Sequence, residues 1–118
     1  MKLNVDNPGL AAEKIAATFL TQQGLKLVTA NFHCRYGEID LIMQDGKTLV
    51  FVEVRLRTNP TFGTVAASIT PQKQQKLIHT AQYYLQLHAI NSPCRFDAVL
   101  MQKADTTQIE WLRNAIET

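Results

Sequence analysis

The segment Gly37 to Arg57, GEIDLIMQDGKTLVFVEVRLR, constrains the fold more than any other part of the chain. Asp45-Gly46 is the strongest short hairpin signal a sequence offers. It separates two β-prone runs, Glu38 to Gln44 and Lys47 to Arg57. With Asp45-Gly46 at the centre of a two-residue turn, Gln44 lies opposite Lys47 and Asp40 opposite Phe51. Side chains alternate along a strand, so Phe51, Glu53 and Arg55 share one face, and Asp40 joins them across the hairpin. Glu53 then sits diagonally from Asp40, roughly 7–8 Å away between backbones, within reach of bridging one divalent ion. A loop one residue longer would separate them. The other face collects Leu41, Met43, Val50, Val52 and Val54, an apolar set fit to lie under a helix. Glu53 between Val52 and Val54 is the oddity, since carboxylates rarely enter central strands without a partner. Spacing alone leaves two explanations level: a metal site, or an ion pair of Glu53 or Asp40 with an arginine.

Around this hairpin the chain reads as α/β. Asn7-Pro8 is a helix-start signal, and Ala12, Ile15, Ala16, Phe19 and Leu20 follow at helical spacing within Ala11 to Gln23. Gly24 is the expected stop, and Leu25 to Phe32 reads as a first strand. After the hairpin, Thr58 to Ser68 is irregular and long enough to be a functional loop. Thr70-Pro71 opens a second helix with Leu77, Ile78, Ala81, Tyr84 and Leu85 on its buried stripe, and Asn91-Ser92-Pro93 ends it. Phe96 to Gln102 is a further strand and Ile109 to Leu112 a short last one. Arg113 to Thr118 reads as a helical turn or a frayed tail. The expectation is one domain over residues 1–118, with a mixed central sheet flanked by helices in the order α-β-β-β-α-β.

The chain has 118 residues, of which 46% are hydrophobic and 19% charged, so it is rich enough in apolar residues to exclude a disordered chain. No apolar run approaches membrane-spanning length, and the N-terminus lacks a signal-peptide core. A cytoplasmic protein is expected, with Cys34 and Cys94 as free thiols. The net charge of +2 says little, but its distribution is uneven. From Gly46 to Lys103 seven basic residues face two acidic ones, while the first 45 residues hold four basic and five acidic. A basic middle beside carboxylates suits a polyanion bound through metal, although charge alone favours an ordinary mixed surface.

These residues carry a resemblance. The Gly37 to Arg57 stretch resembles the D-(x)n-(D/E)-x-K core of restriction-endonuclease-like nucleases. From about Gly9 to about Ile116 the chain is similar to the bacterial YraN family of predicted endonucleases, itself distantly similar to archaeal Holliday-junction resolvases. The likeness includes Glu13 on the first helix, GEID (Gly37 to Asp40), FVEVR (Phe51 to Arg55), SITPQKQQKL (Ser68 to Leu77) and RFD (Arg95 to Asp97). It implies a restriction-endonuclease-like fold and a metal-dependent nuclease acting on DNA, with branched DNA as the substrate and a homodimer as the assembly suggested by the resolvases. It further implies Asp40 and Glu53 as ligands of Mg²⁺ (or Mn²⁺), the Val54 carbonyl completing the site, and Glu13 as an outer ligand or water acceptor.

Arg55 stands where the broader superfamily places lysine. Arginine holds phosphate bidentately but does not readily lose a proton, which excludes a general-base role. Lys73 is a candidate to compensate. With Thr70 as cap it falls in the first turn of the second helix, where the dipole disfavours a cation by up to ~1 kcal/mol. It makes more sense there beside phosphate or the carboxylates. Asp97 is expected to pair with Arg95 rather than to catalyse. Tyr36, Phe62 and Tyr83 either stack on bases or pack on neighbours, with packing preferred. Two rival readings remain: a nucleic-acid-binding module that keeps the fold without turnover, and a structural protein in which Asp40, Glu53 and Arg55 form a buried ion network.

Overall fold

The computed structural model describes residues 8–56, 69–101 and 109–116. In chain order the elements are α1 (Pro8–Gln22), β1 (Lys26–Cys34), β2 (Gly37–Asp45), β3 (Thr48–Leu56), α2 (Pro71–Leu87), β4 (Cys94–Met101) and β5 (Ile109–Ile116). The strands form one sheet in the order β1-β2-β3-β4-β5. β3 and β4 are parallel and the other neighbours antiparallel. α2 supplies the crossover that a parallel pair requires. This is a mixed sheet flanked by two helices, compatible with a restriction-endonuclease-like fold. The Asn7 cap, the loop Thr58 to Ser68 with Phe62, and the last two residues lie outside the described residues.

Each helix covers one face of the sheet. Ala12, Ala16 and Leu20, four residues apart, lie on one side of α1 and pack on Leu41, Met43, Val50 and Val52. Gly24, at φ +104, ends that helix as expected. On the other face Leu77, Ala81 and Tyr84 of α2 pack on Ile42, Phe51, Phe96 and Ala98, with Phe51 and Phe96 stacked at 5.3 Å. Each fully buried Leu or Phe contributes about 1.5–3 kcal/mol. The α2 start is built as its sequence predicts: Thr70 is the N-cap, and its hydroxyl oxygen accepts from the Lys73 N–H at 3.2 Å.

The hairpin register differs from the expectation by two residues. Asp45 pairs with Thr48, so the turn is Gly46-Lys47, and Ile42, not Asp40, faces Phe51. Two features account for this. Gly46 takes the positive φ of +60 at the first central position, the type II′ arrangement. Asp45, kept in the strand, is held by Arg95 Nη2 at 3.0 Å. A shift of two preserves parity, so the apolar set Leu41, Met43, Val50 and Val52 still lies under a helix, α1.

Two other elements depart from simple expectation. β5 runs eight residues, so Arg113 to Ile116 is strand rather than a helical turn. Its pairing is irregular between Phe96 and Ala98 of β4, and Asn114 sits in the bulge at φ +53 with its N–H donated to Asp97 Oδ1 at 2.9 Å. That bond lets the chain bend and re-pair, bringing Ile116 opposite Phe96. In β2, Ile39 and Ile42 both join the α2-side core although they are three residues apart. Strict alternation forbids that, so β2 twists between them, at Asp40.

Candidate metal and phosphate site

The β2–β3 ladder ends at Leu41 and Val52. Beyond that pair β2 continues against β1, and β3 continues against β4. The backbone groups of β3 facing this fork need other partners. Val54 N–H finds one in the Asp40 carboxylate, donating to Oδ2 at 2.8 Å. Asp40 therefore fills a gap in the sheet. It is not diagonal to Glu53 across a continuous ladder. Its side chain lies between the two faces, close to Glu53 of β3 and to Glu13 of α1.

Glu53 is 6% exposed. Its Oε2 lies 3.1 Å from Lys73 Nζ and 3.2 Å from Arg55 Nε. The Arg55 Nε–H is not aligned to donate, so that contact is one of charge rather than a directed hydrogen bond. Lys73 comes from the first turn of α2, the position the helix dipole disfavours, and the Glu53 carboxylate offsets that cost. Lys73 and Arg55 both keep partial access to solvent.

The local electrostatics are unfavourable to the carboxylates as they stand. Burial, then repulsion from Asp40, pushes Glu53 up to about 7, against the lowering effect of Lys73 and Arg55. Burial raises Asp40 to about 6, with Glu13 adding repulsion and the Val54 N–H working the other way. Glu13 is also raised, mainly by burial, with Glu38 and Glu53 adding to it. Among the described residues no cation lies within 4.0 Å of Asp40, and Glu13 Oε1 is buried with no hydrogen-bond partner.

These residues suit a hard divalent cation. Among the described residues no group of three or more His, Cys, Asp or Glu side chains is arranged to hold a metal. What is offered is the Asp40 and Glu53 pair, with the orphaned Glu13 oxygen near Asp40. Mg²⁺ is commonly held by one or two carboxylates, with waters and substrate phosphates completing its shell. Zinc, which prefers nitrogen and sulfur ligands, has no such set here.

The geometry thus brings Glu13, Asp40, Glu53, Arg55, Val54 and Lys73 into one neighbourhood. Asp97 is elsewhere. It is 1% exposed and accepts from Arg95 Nε at 3.0 Å, Trp111 Nε1 at 3.0 Å and the Asn114 N–H, which makes it the anchor of β5. Cys34 and Cys94 are free thiols. No helix among the described residues is long and apolar enough to cross a membrane. Sequence reasoning missed Asn31, which takes φ +55 inside β1 and lies against Glu13. The tolerance of asparagine for that conformation was the only signal of it.

Residues 12–101 match the model of the family described as Uncharacterised protein family UPF0102, and this span includes Glu13, Asp40, Glu53, Val54, Arg55 and Lys73. A UPF0102 protein of Nitrosomonas europaea is 54% identical over 111 residues, covering 94% of each chain. One from Methylobacillus flagellatus is 53% identical over 104 residues, covering 88% of this chain and 91% of its own. One from Psychromonas ingrahamii is 47% identical over 112 residues, covering 95% of this chain and 91% of its own. With identity at this level over nearly the whole length, and a family match over most of it, the chain belongs to the UPF0102 family.

Proposed function

We propose that this protein is a metal-dependent nuclease that hydrolyses phosphodiesters of DNA, with branched or otherwise structured DNA as its substrate. The observation that carries the reading is the fork at Asp40. Asp40 lies there beside Glu53, with Glu13 near Asp40, and among the described residues the two cations at hand pair with Glu53. A structural ion network pairs each carboxylate with a cation, whereas among the described residues neither Asp40 nor Glu13 has one within 4.0 Å.

Each residue has a role consistent with its position. Asp40 and Glu53 hold Mg²⁺ or Mn²⁺, and the Val54 carbonyl is a further candidate ligand. When bound, the metal activates water and neutralises charge on the scissile phosphate. The Val54 N–H fixes the Asp40 carboxylate in place. Arg55 and Lys73, both partly open to solvent, bind the non-bridging oxygens of the phosphate. As cations they stabilise negative charge, and the Arg55 guanidinium does not serve as a base. Glu13, with an unpartnered oxygen, accepts the proton of an attacking water.

The test is a cleavage assay on labelled branched, single-stranded and duplex DNA, with RNA alongside, in Mg²⁺, in Mn²⁺ and in chelator. The expected result is cleavage only with metal, abolished by Asp40→Ala with the fold intact by circular dichroism. Mg²⁺ should also raise the melting temperature of the wild type and not of Asp40→Ala. Salt-sensitive DNA binding without cleavage under any metal would instead identify a binding module. Neither binding nor cleavage, with no response to Mg²⁺, would leave an ion network.

A further inference from the structure

The turn between β1 and β2 rests on α2 and borders an open surface cavity of about 240 Å³ lined by Tyr36, His79, Gln82, Tyr83 and Gln86. We infer that this cavity receives an unpaired nucleobase of a DNA strand whose backbone runs on to the Asp40 and Glu53 site. The inference rests on the nuclease reading for the route of the strand, and it adds how the protein selects DNA with unpaired bases.

Three aromatic rings form the walls. Tyr36 lies 6.1 Å from His79 and 5.9 Å from Tyr83, at interplanar angles of 64° and 59°. The rings are tilted rather than stacked on one another, while Arg35 lies over the Tyr36 ring and Phe32 lies 6.4 Å from Tyr83 at 30°. Tyr36 is 38% exposed, unusual for a large aromatic with so many neighbours to pack against. Gln82 and Gln86, both exposed, bring amides that donate and accept together, the group that pairs with adenine edges. The volume is below the roughly 300–1,000 Å³ of pockets for drug-sized ligands, which suits a single ring system.

The cavity is also tied to the catalytic carboxylates by both of its supporting elements. Along β2, Asp40 follows Tyr36 by four residues, about 13 Å of strand. Along α2, Lys73 precedes His79 by six residues and Tyr83 by ten, about 9–15 Å of helix. That span corresponds to roughly three or four stacked nucleotides. Cations mark the way. Lys73 is at the site, Lys76 is exposed one turn further, and Arg35 lies 5.0 Å over the Tyr36 ring. The turn and helix approach closely at Gly37, where a Cβ would come 3.2 Å from Thr80 Oγ1. Backbone tracking by cations combined with aromatic stacking is how single strands are bound without regard to sequence.

The probe is a short single-stranded DNA carrying 2-aminopurine, titrated with the protein in chelator so that nothing is cleaved. Stacking on the tyrosines should quench the probe, and a blunt duplex of equal length should bind more weakly. Tyr36→Ala and Tyr83→Ala should each weaken binding by roughly five- to 150-fold and relieve quenching. Tyr36→Phe should retain both, which guards against loss of packing. Wild-type affinity in Tyr36→Ala and Tyr83→Ala would overturn the inference, as would a duplex or adenosine monophosphate binding as tightly as the strand. The nuclease reading fails separately, when the wild type cleaves no DNA under any metal while quenching persists.

Discussion

Replacing Asp40 by asparagine should make the protein more stable near neutral pH, even though it removes a residue held by a good hydrogen bond. Burial and the neighbouring Glu13 raise the Asp40 carboxyl from 3.8 to about 6. The folded state therefore binds this proton more tightly than the unfolded chain does. The stability contributed by the neutral form is full below about pH 3.8 and is lost as pH rises through about 6. Two pKa units correspond to about 3 kcal/mol. The three carboxylates share that penalty, and asparagine keeps only one acceptor for the Val54 N–H, so the net gain is about 1–2 kcal/mol at about pH 8. For a chain of this size that is roughly 4–10 °C in melting temperature. The assay is thermal melting of wild type and Asp40→Asn in chelator, at about pH 8 and about pH 4. The variant should melt higher at the first and level with the wild type at the second. A variant that is less stable at the higher pH, or that gains equally at both, would refute the picture of a charge held against its preference.

Three further substitutions test the frame that positions the site. Asp97→Ala leaves the Trp111 N–H and the Asn114 N–H without their acceptor, and the buried end of the Arg95 guanidinium with Asp45 alone. It should cost about 3–5 kcal/mol in chemical denaturation, and a loss below about 1 kcal/mol would mean Asp97 is not the anchor of β5. Thr70→Ala removes the α2 cap at the point where Lys73 begins, and should lower stability by about 1 kcal/mol in the same assay. Gly37→Ala forces a Cβ against Thr80 Oγ1 at a backbone φ of +148. A cost of about 1–3 kcal/mol is expected from melting curves, and a neutral result would show that the β1–β2 turn can draw back from α2.

The fold was largely legible because its determinants are local. Helical spacing of Ala12, Ala16 and Leu20, the Gly24 stop and the Thr70-Pro71 start each depend on a few adjacent residues, and each stands in the structure. The hairpin register escapes local reading by two residues because the turn dipeptide does not say which of its members takes positive φ. Arg95, fifty positions away, helps to keep Asp45 in the strand. The full length of β5 escapes it for a similar reason, since its second half depends on the bond from Asn114 to Asp97. In the site, strand alternation brought Asp40 and Glu53 together but could not reveal the end of the ladder between them. Splaying of strands depends on pairing with β1 and β4, which no single strand encodes. Lys73 was legible for an instructive reason: a cation in the first turn of a helix is locally unfavourable, and such a conflict points to a partner elsewhere.

The bond from the Val54 amide to Asp40 gives the molecule a built-in gauge. One backbone proton, on the part of β3 that beyond Val52 is otherwise paired to β4 alone, is held by a side chain whose charge sets the strength of that hold. Its resonance should move with ionisation of the carboxylate and with any ion that comes to share the oxygen. Occupancy at the heart of the sheet is thereby written into a single nuclear magnetic resonance peak, with no label beyond nitrogen.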